Sequence, residues 1–289
     1  QLDYISHAIT QLSGLKNEPT QTDKLENTPD IIAKVLNTAL QQQADDLQQP
    51  LPQTKPALNN QAQTLQFVSQ NALPEGEAYE SFIGTTGNIP TRDNLHDLFN
   101  GSIWLTFPKT KALLNYYHML EINQQGIGAS RGRVRDTITV FDENGAILVT
   151  ADASIGKALI DFDWQASLVA PRDKWDKPKQ SNNHSQAAVY IFGHALLEKL
   201  LQPRKELCAH SIVIYVTPDF FALSLSERIS HLDKRVADYM EALLSQLDVT
   251  PRKLSPLPIL GVPHYWAENA YSSFYDDSQV FRSGRRRQK

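Results

Sequence analysis

The chain has 289 residues, a formal net charge of -4, 41% hydrophobic and 21% charged residues, the balance of a globular protein rather than a disordered or fibrous one. Its length permits one large domain or two smaller ones, and its mild acidity excludes a global attraction to nucleic acid. A single cysteine, Cys208, excludes an internal disulfide framework and fits a reducing compartment, and no run of about 18 apolar residues offers a membrane span.

The N-terminus, Gln1-Leu-Asp-Tyr-Ile-Ser-His7, lacks both the basic and apolar regions of a signal peptide and an initiating methionine; the expected location is the cytoplasm. Thr28-Pro29-Asp30 supplies an N-cap, a first-turn proline and a first-turn acid, followed by Ile31, Ile32, Val35, Leu36, Ala39 and Leu40 at helical spacing, which predicts a helix ending near Gln49. Residues 50–62, rich in proline and uncharged polar groups, read as a linker or exposed loop. The expected organisation is therefore a helical N-terminal extension and linker over 1–62, a main domain over 63–282 and a basic tail over 283–289.

Asp93 or Asn94 is the expected N-cap of a helix in which Leu95, Leu98, Phe99, Ser102 and Ile103 share one face. His96 and Asn100 lie one turn apart on a neighbouring stripe, and so address one point. Pro108 breaks the chain and opens a second helix, with Leu113, Tyr116, Tyr117 and Leu120 inward and Lys111 and Asn115 one turn apart. A β-hairpin is predicted next: Val134–Phe141, a turn at Asp142-Glu-Asn-Gly145, and Ala146–Ala151, because Asn-Gly supplies the positive φ of a tight turn. Alternation then places Asp136 on the apolar face beside Val134, Ile138 and Val140, where a carboxylate requires a cation, a metal or several donors.

Ser185–Leu201, apolar nearly all round, predicts a buried helix carrying His194 and Glu198 one turn apart. His210–Val216 reads as a strand, Ser224-Leu-Ser-Glu227 as a capping box opening a helix to about Leu247, and the tail from Pro251 as irregular. Without a regular βαβ alternation, the expected class is α+β, with mixed helices packed on a small, mainly antiparallel sheet.

Five blocks taken in order carry a resemblance. They are His96-Asp97-Leu-Phe99-Asn100, Phe107-Pro108-Lys-Thr110-Lys111-Ala-Leu-Leu114-Asn115, Arg135-Asp136-Thr-Ile-Thr139-Val-Phe141-Asp142-Glu143-Asn-Gly145, Gly193-His194-Ala195-Leu196 and Tyr275-Asp276-Asp277-Ser-Gln-Val280-Phe281-Arg282. Together they resemble the bacterial domain of unknown function family 3025 over roughly residues 79–282. The resemblance implies no activity, cofactor or substrate class. Within it, Val262-Pro263-His264-Tyr265-Trp266 carries His264 where the family pattern leads one to expect glycine.

The residues themselves suggest a hydrolase for a phosphate-containing substrate, metal-assisted or acid/base, with His96, Asp97, Asp136 and His194 as catalytic groups. Asn100, Lys111, Asn115 and Arg135 are the expected substrate-binding groups, and neither a metal nor another cofactor is specified. The His96-Asp97 doublet invites comparison with the histidine-aspartate phosphohydrolases, but the only upstream histidine is His7, beyond the linker. Plainer readings stand beside these: His96 bonded to a loop carbonyl, Asp97 favoured by a helix dipole, Asp136 in a salt bridge with Lys111 or an arginine, His194 as a core histidine, and Asp142 and Glu143 as turn residues. The alternative function is a non-catalytic RNA- or protein-binding adaptor. It would use Arg131, Arg133, Arg135 and the Arg285-Arg-Arg287 tail for phosphates and Tyr265, Trp266, Tyr271 and Phe274 for stacking. The expected partner is an anionic small molecule or RNA, with no membrane.

Overall fold

The structure, a computed structural model, describes residues 30–57, 61–125, 132–177 and 185–284. The chain divides into two compact units, the first running up to Arg135 and taking in Ala237–Leu247, the second comprising Asp136–Val236 and the chain from Asp248. Thr28, Pro29, Arg131 and the Arg285-Arg-Arg287 tail, all used in the sequence reading, lie outside the described residues.

In the first unit, α1 (Ile31–Leu47) buries Ala33, Val35, Leu36, Ala39 and Leu40, the three-and-four spacing that makes one apolar stripe. The proline-containing segment after it folds back on itself: Leu65 N–H donates to the Pro52 carbonyl at 2.9 Å, Gln53 pairs with Thr64, and Thr54 and Ala57 are buried. Next, β1 (Gln66–Ser69), α2 (Tyr79–Thr86) and β2 (Asn88–Thr91) form a crossover, the two strands pairing in parallel. Asn94 caps α3 (Leu95–Thr106), its side chain accepting the Asp97 N–H at 2.8 Å. Asp93 instead serves α1, accepting from the backbone N–H groups of Asp30 at 3.0 Å and Ile32 at 2.9 Å. Pro108 opens α4 (Pro108–Gln125) as expected. The buried side chains of α4 include Ala112, Leu113, Leu114 and Met119, while Tyr116, Tyr117 and Leu120 are half-buried. Its inner face is thus rotated from the apolar pattern, and it takes Lys111 and Asn115 inside.

The predicted hairpin is half wrong. Residues 134–141 belong to α5 (Arg133–Asn144), and only the second arm is a strand, β3 (Gly145–Thr150). The β-branched composition of Val134–Val140 mimics a strand, but burial falls on Thr137, Ile138 and Phe141, a helical rhythm. Asp136 is consequently not on the apolar face of a strand; it is exposed, in the first turn of a helix, where the dipole favours an anion.

After β3 come α6 (Ala153–Ile160), β4 (Ala187–Ile191) and α7 (His194–Lys199). The helix predicted over Ser185–Leu201 is therefore a strand, a break and a short helix: a continuous apolar run has no period, and Gly193 marks where it divides. Then follow β5 (Cys208–Tyr215), α8 (Leu225–Leu244) and β6 (Ser255–Pro258). The reciprocal capping box of α8 is present, with Ser224 N–H donating to Glu227 Oε2 at 2.9 Å and Glu227 N–H to Ser224 Oγ at 3.3 Å.

The four strands are ordered β4-β3-β5-β6, antiparallel at both outer joins and parallel between β3 and β5. All six residues of β3 are buried, as a central strand requires. One core of the second unit gathers Leu148, Leu168, Trp175, Val189, Leu196, Leu257, Ile259 and Phe281, each large apolar side chain contributing about 1.5–3 kcal/mol. The irregular C-terminal chain is pinned by Asn269, whose side-chain amide donates to the carbonyls of Leu260 at 2.8 Å and Val262 at 2.7 Å. Arg172 donates in turn to the Asn269 carbonyl and side-chain oxygen. The class is α+β, helices with two small sheets, and no helix among the described residues is long and apolar enough to cross a membrane.

Candidate functional site

The residues expected to form one site fall into both units. His96, Asp97, Asn100, Lys111, Asn115 and Arg135 belong to the first; Asp136 and His194 belong to the second.

Within the first unit, Asp97 is a clasp. Its carboxylate accepts from the Arg92 backbone N–H at 2.7 Å and from Arg92 Nε at 3.1 Å and Nη2 at 2.8 Å, and it is buried. This arrangement closes the first turn of α3 with charge-assisted bonds. On the same helix His96 is half-buried. One turn on, Asn100 Nδ2 donates to the Tyr79 hydroxyl at 3.2 Å, while its oxygen accepts from Lys111 Nζ at 3.0 Å. The Lys111 ammonium also lies 5.2 Å from the centre of the Trp104 ring, a cation–π contact. Asn115 donates to Glu80 at both its carbonyl, 2.8 Å, and its Oε2, 2.7 Å. Asn100 and Lys111, from different helices, are thus brought together, a pairing the spacing did not give, and Asn115, one turn from Lys111, is tied to α2. The half-buried Arg135 has its Nε buried without a hydrogen-bond partner among the described residues.

In the second unit the arrangement is tighter. Phe192 and Gly193 both donate their N–H groups to the Gly145 carbonyl, at 3.0 and 2.8 Å, which locks the entry to α7 onto the junction between α5 and β3. The backbones approach closely: a Cβ at Gly193 would stand 2.5 Å from both the Glu143 carbonyl oxygen and the Gly145 nitrogen. Stacking of Phe141 on Phe192, centroids 4.7 Å apart, completes the joint.

That joint delivers the buried imidazole of His194 between two carboxylates. Asp142 Oδ2 lies 3.8 Å from Nδ1, and Glu143 Oε1 lies 3.7 Å from Nε2. The side chains of Asp142 and Glu143 retain 20% and 37% exposure, so the Glu143 side faces solvent. Lys199, from the other end of α7, donates to Asn144 Oδ1 at 2.7 Å and brings an ammonium to the same segment.

Asp142 and Glu143 are the residues that the sequence reading set aside. Read as turn residues, they carry no signal. At the C-terminal turn of α5, which has no basic residue there, they oppose the helix dipole, a cost of about 0.3–1 kcal/mol each. Acids retained where the local field disfavours them call for a compensating positive group.

No curated protein and no solved structure matched the chain. A family model described as a protein of unknown function (DUF3025) matches residues 65–285, a stretch that contains every residue of the His194 centre. Because that match runs in one piece over much more than half of the sequence, the chain belongs to the DUF3025 family.

Proposed function

We propose that the protein is a hydrolase acting on a phosphate-containing substrate, with its water-activating centre at His194, Asp142 and Glu143. The observation that carries this reading is the imidazole set between two carboxylates, at 3.8 and 3.7 Å, on a backbone joint that permits little play. In the reaction the water oxygen bonds to phosphorus as the ester oxygen leaves, and the water's proton passes to the more exposed carboxylate, Glu143. Asp142 and the backbone joint at Gly193 hold the imidazole in place, and Lys199 offers positive charge to the phosphoryl oxygens.

Of the residues first expected to be catalytic, His194 alone carries this reading. Asp97 is engaged by Arg92, and Asp136 is exposed in a helix's first turn. His96 enters the test as its own variant. A screen of phosphomonoester and phosphodiester substrates should find hydrolysis that His194→Ala and Glu143→Gln each reduce at least about 100-fold. Lys199→Ala should chiefly raise KM. Activity that persists in His194→Ala would overturn the assignment, and activity unchanged in His96→Ala would leave His96 outside the mechanism.

A further inference from the structure

We infer that His194 Nε2 and Glu143 Oε1 are two ligands of one divalent metal ion, with Asp142 as the outer carboxylate that orients the imidazole through Nδ1. This inference builds on the hydrolase reading of the same residues, and adds the ion that would activate the water, with Glu143 Oε1 on the ion and its other oxygen, Oε2, left to take the water's proton. The distance between the two ligand atoms is the starting point. At 3.7 Å, Nε2 and Oε1 are too far apart for a direct hydrogen bond. Two ligands about 2.1 Å from a tetrahedral ion stand about 3.4 Å apart, within a few tenths of an ångström of what is found. A proton shared between imidazole and carboxylate would draw them closer; a cation between them would hold them at this separation.

The other side of the ring supports the same assignment. Metal-bound imidazoles direct the nitrogen that does not bind the ion toward a carboxylate or carbonyl, which fixes the ring and raises its basicity. Here the remaining nitrogen, Nδ1, faces Asp142 Oδ2 at 3.8 Å, outside hydrogen-bond range, so the outer-shell contact would form as that gap closes by roughly an ångström when the ion takes Nε2 and leaves the proton on Nδ1. The order carboxylate, imidazole, carboxylate therefore has one acid in the outer position and one beside the ligating nitrogen. The ion would also place positive charge against Asp142 and Glu143 at the C-terminal turn of α5, where the helix dipole opposes them.

The donor set, one imidazole nitrogen with carboxylate oxygen, suits a borderline ion such as Zn2+ better than Mg2+, which prefers oxygen alone and keeps its water. The half-exposed Glu143 leaves the solvent side for water and substrate oxygen, which would fill the two remaining positions of a four-coordinate ion.

Titration of chelator-stripped full-length protein with Zn2+ by calorimetry tests the assignment without reference to turnover. One equivalent should bind, Mg2+ at the same concentration should not displace it, and Glu143→Gln or His194→Asn should weaken binding at least about 100-fold. Asp142→Asn should weaken it about 10- to 100-fold, the usual effect of removing an outer-shell partner. Circular dichroism of each variant separates loss of the ion from loss of the fold; for any variant that unfolds, the wild-type histidine nitrogen shifts on adding Zn2+, read by NMR, locate the ion instead. Absence of stoichiometric binding, or binding indifferent to Glu143→Gln and His194→Asn with an unperturbed His194, would overturn the metal site. Zinc bound as expected with no hydrolysis of any phosphoester would uphold the site and overturn the hydrolase. Hydrolysis by protein that binds no ion would do the reverse.

Discussion

His264 holds its backbone at φ 70°, the left-handed region that glycine enters freely and other residues enter at a cost of about 1–2 kcal/mol. The glycine expected from the family pattern at this position thus has a conformational reason. Its Nε2 is also buried without a hydrogen-bond partner among the described residues, and burial together with the nearby Arg172 guanidinium holds the imidazole below its ordinary pKa. His264→Gly should therefore raise stability by about 1 kcal/mol in a denaturant titration, since it relieves both strain and an unsatisfied polar atom. At the N-cap of α6, a hydrogen bond from Lys174, then one from Ser154, draws the Asp152 carboxyl down to about 2 from its ordinary 3.8. A depressed carboxyl stabilises the fold above the unfolded value and loses that contribution as pH falls through the folded one. Stability should accordingly drop by about 1 kcal/mol between pH 4 and pH 2 on this account, the lysine being well exposed to solvent. Asp152→Asn should flatten that part of the curve of melting temperature against pH.

Among the elements, the joint of α5, β3 and α7 does the most to define the candidate site. Gly193→Ala places a methyl against the backbone of residues 143–145, where nothing flexible can yield. It should cost at least about 2 kcal/mol by thermal unfolding, and should also move His194 from its carboxylates. Legibility from sequence follows from how local the signal is. Helices α1, α3, α4 and α8 and strand β5 announce themselves through caps, prolines and periodicity. Val134–Phe141 did not, because β-branched residues in a short helix imitate a strand and Asn-Gly, which here ends a helix and begins a strand, imitates a hairpin. That error hid Asp142 and Glu143 behind turn chemistry. His194 was visible as an imidazole in an apolar run. Its two acidic neighbours are brought to it by the packing of Gly193 on Gly145, a contact between segments 48 positions apart that no local pattern encodes.

At the scale of the whole molecule, the class was legible from the mixture of patterns, whereas the parallel pairing of β3 with β5 and of β1 with β2 was not. Parallel partners are joined by long crossovers and leave no turn signature between them. Membership of both units by one helix, α8, was equally hidden: its amphipathic stripe runs unbroken across Val236 and Ala237, where the division falls. Chain order and unit order thus differ. Met240, Leu243 and Leu244 are buried, the Tyr117 hydroxyl meets Ser245 Oγ at 2.8 Å, and Lys55 pairs with Glu241 at 2.6 Å, all within the first unit. During synthesis, then, the leading portion emerges long before the piece that finishes it. It must wait, incompletely sealed, while more than a hundred further residues leave the ribosome, so maturation ends with a late stitch from downstream rather than with a first unit settled in advance of the second.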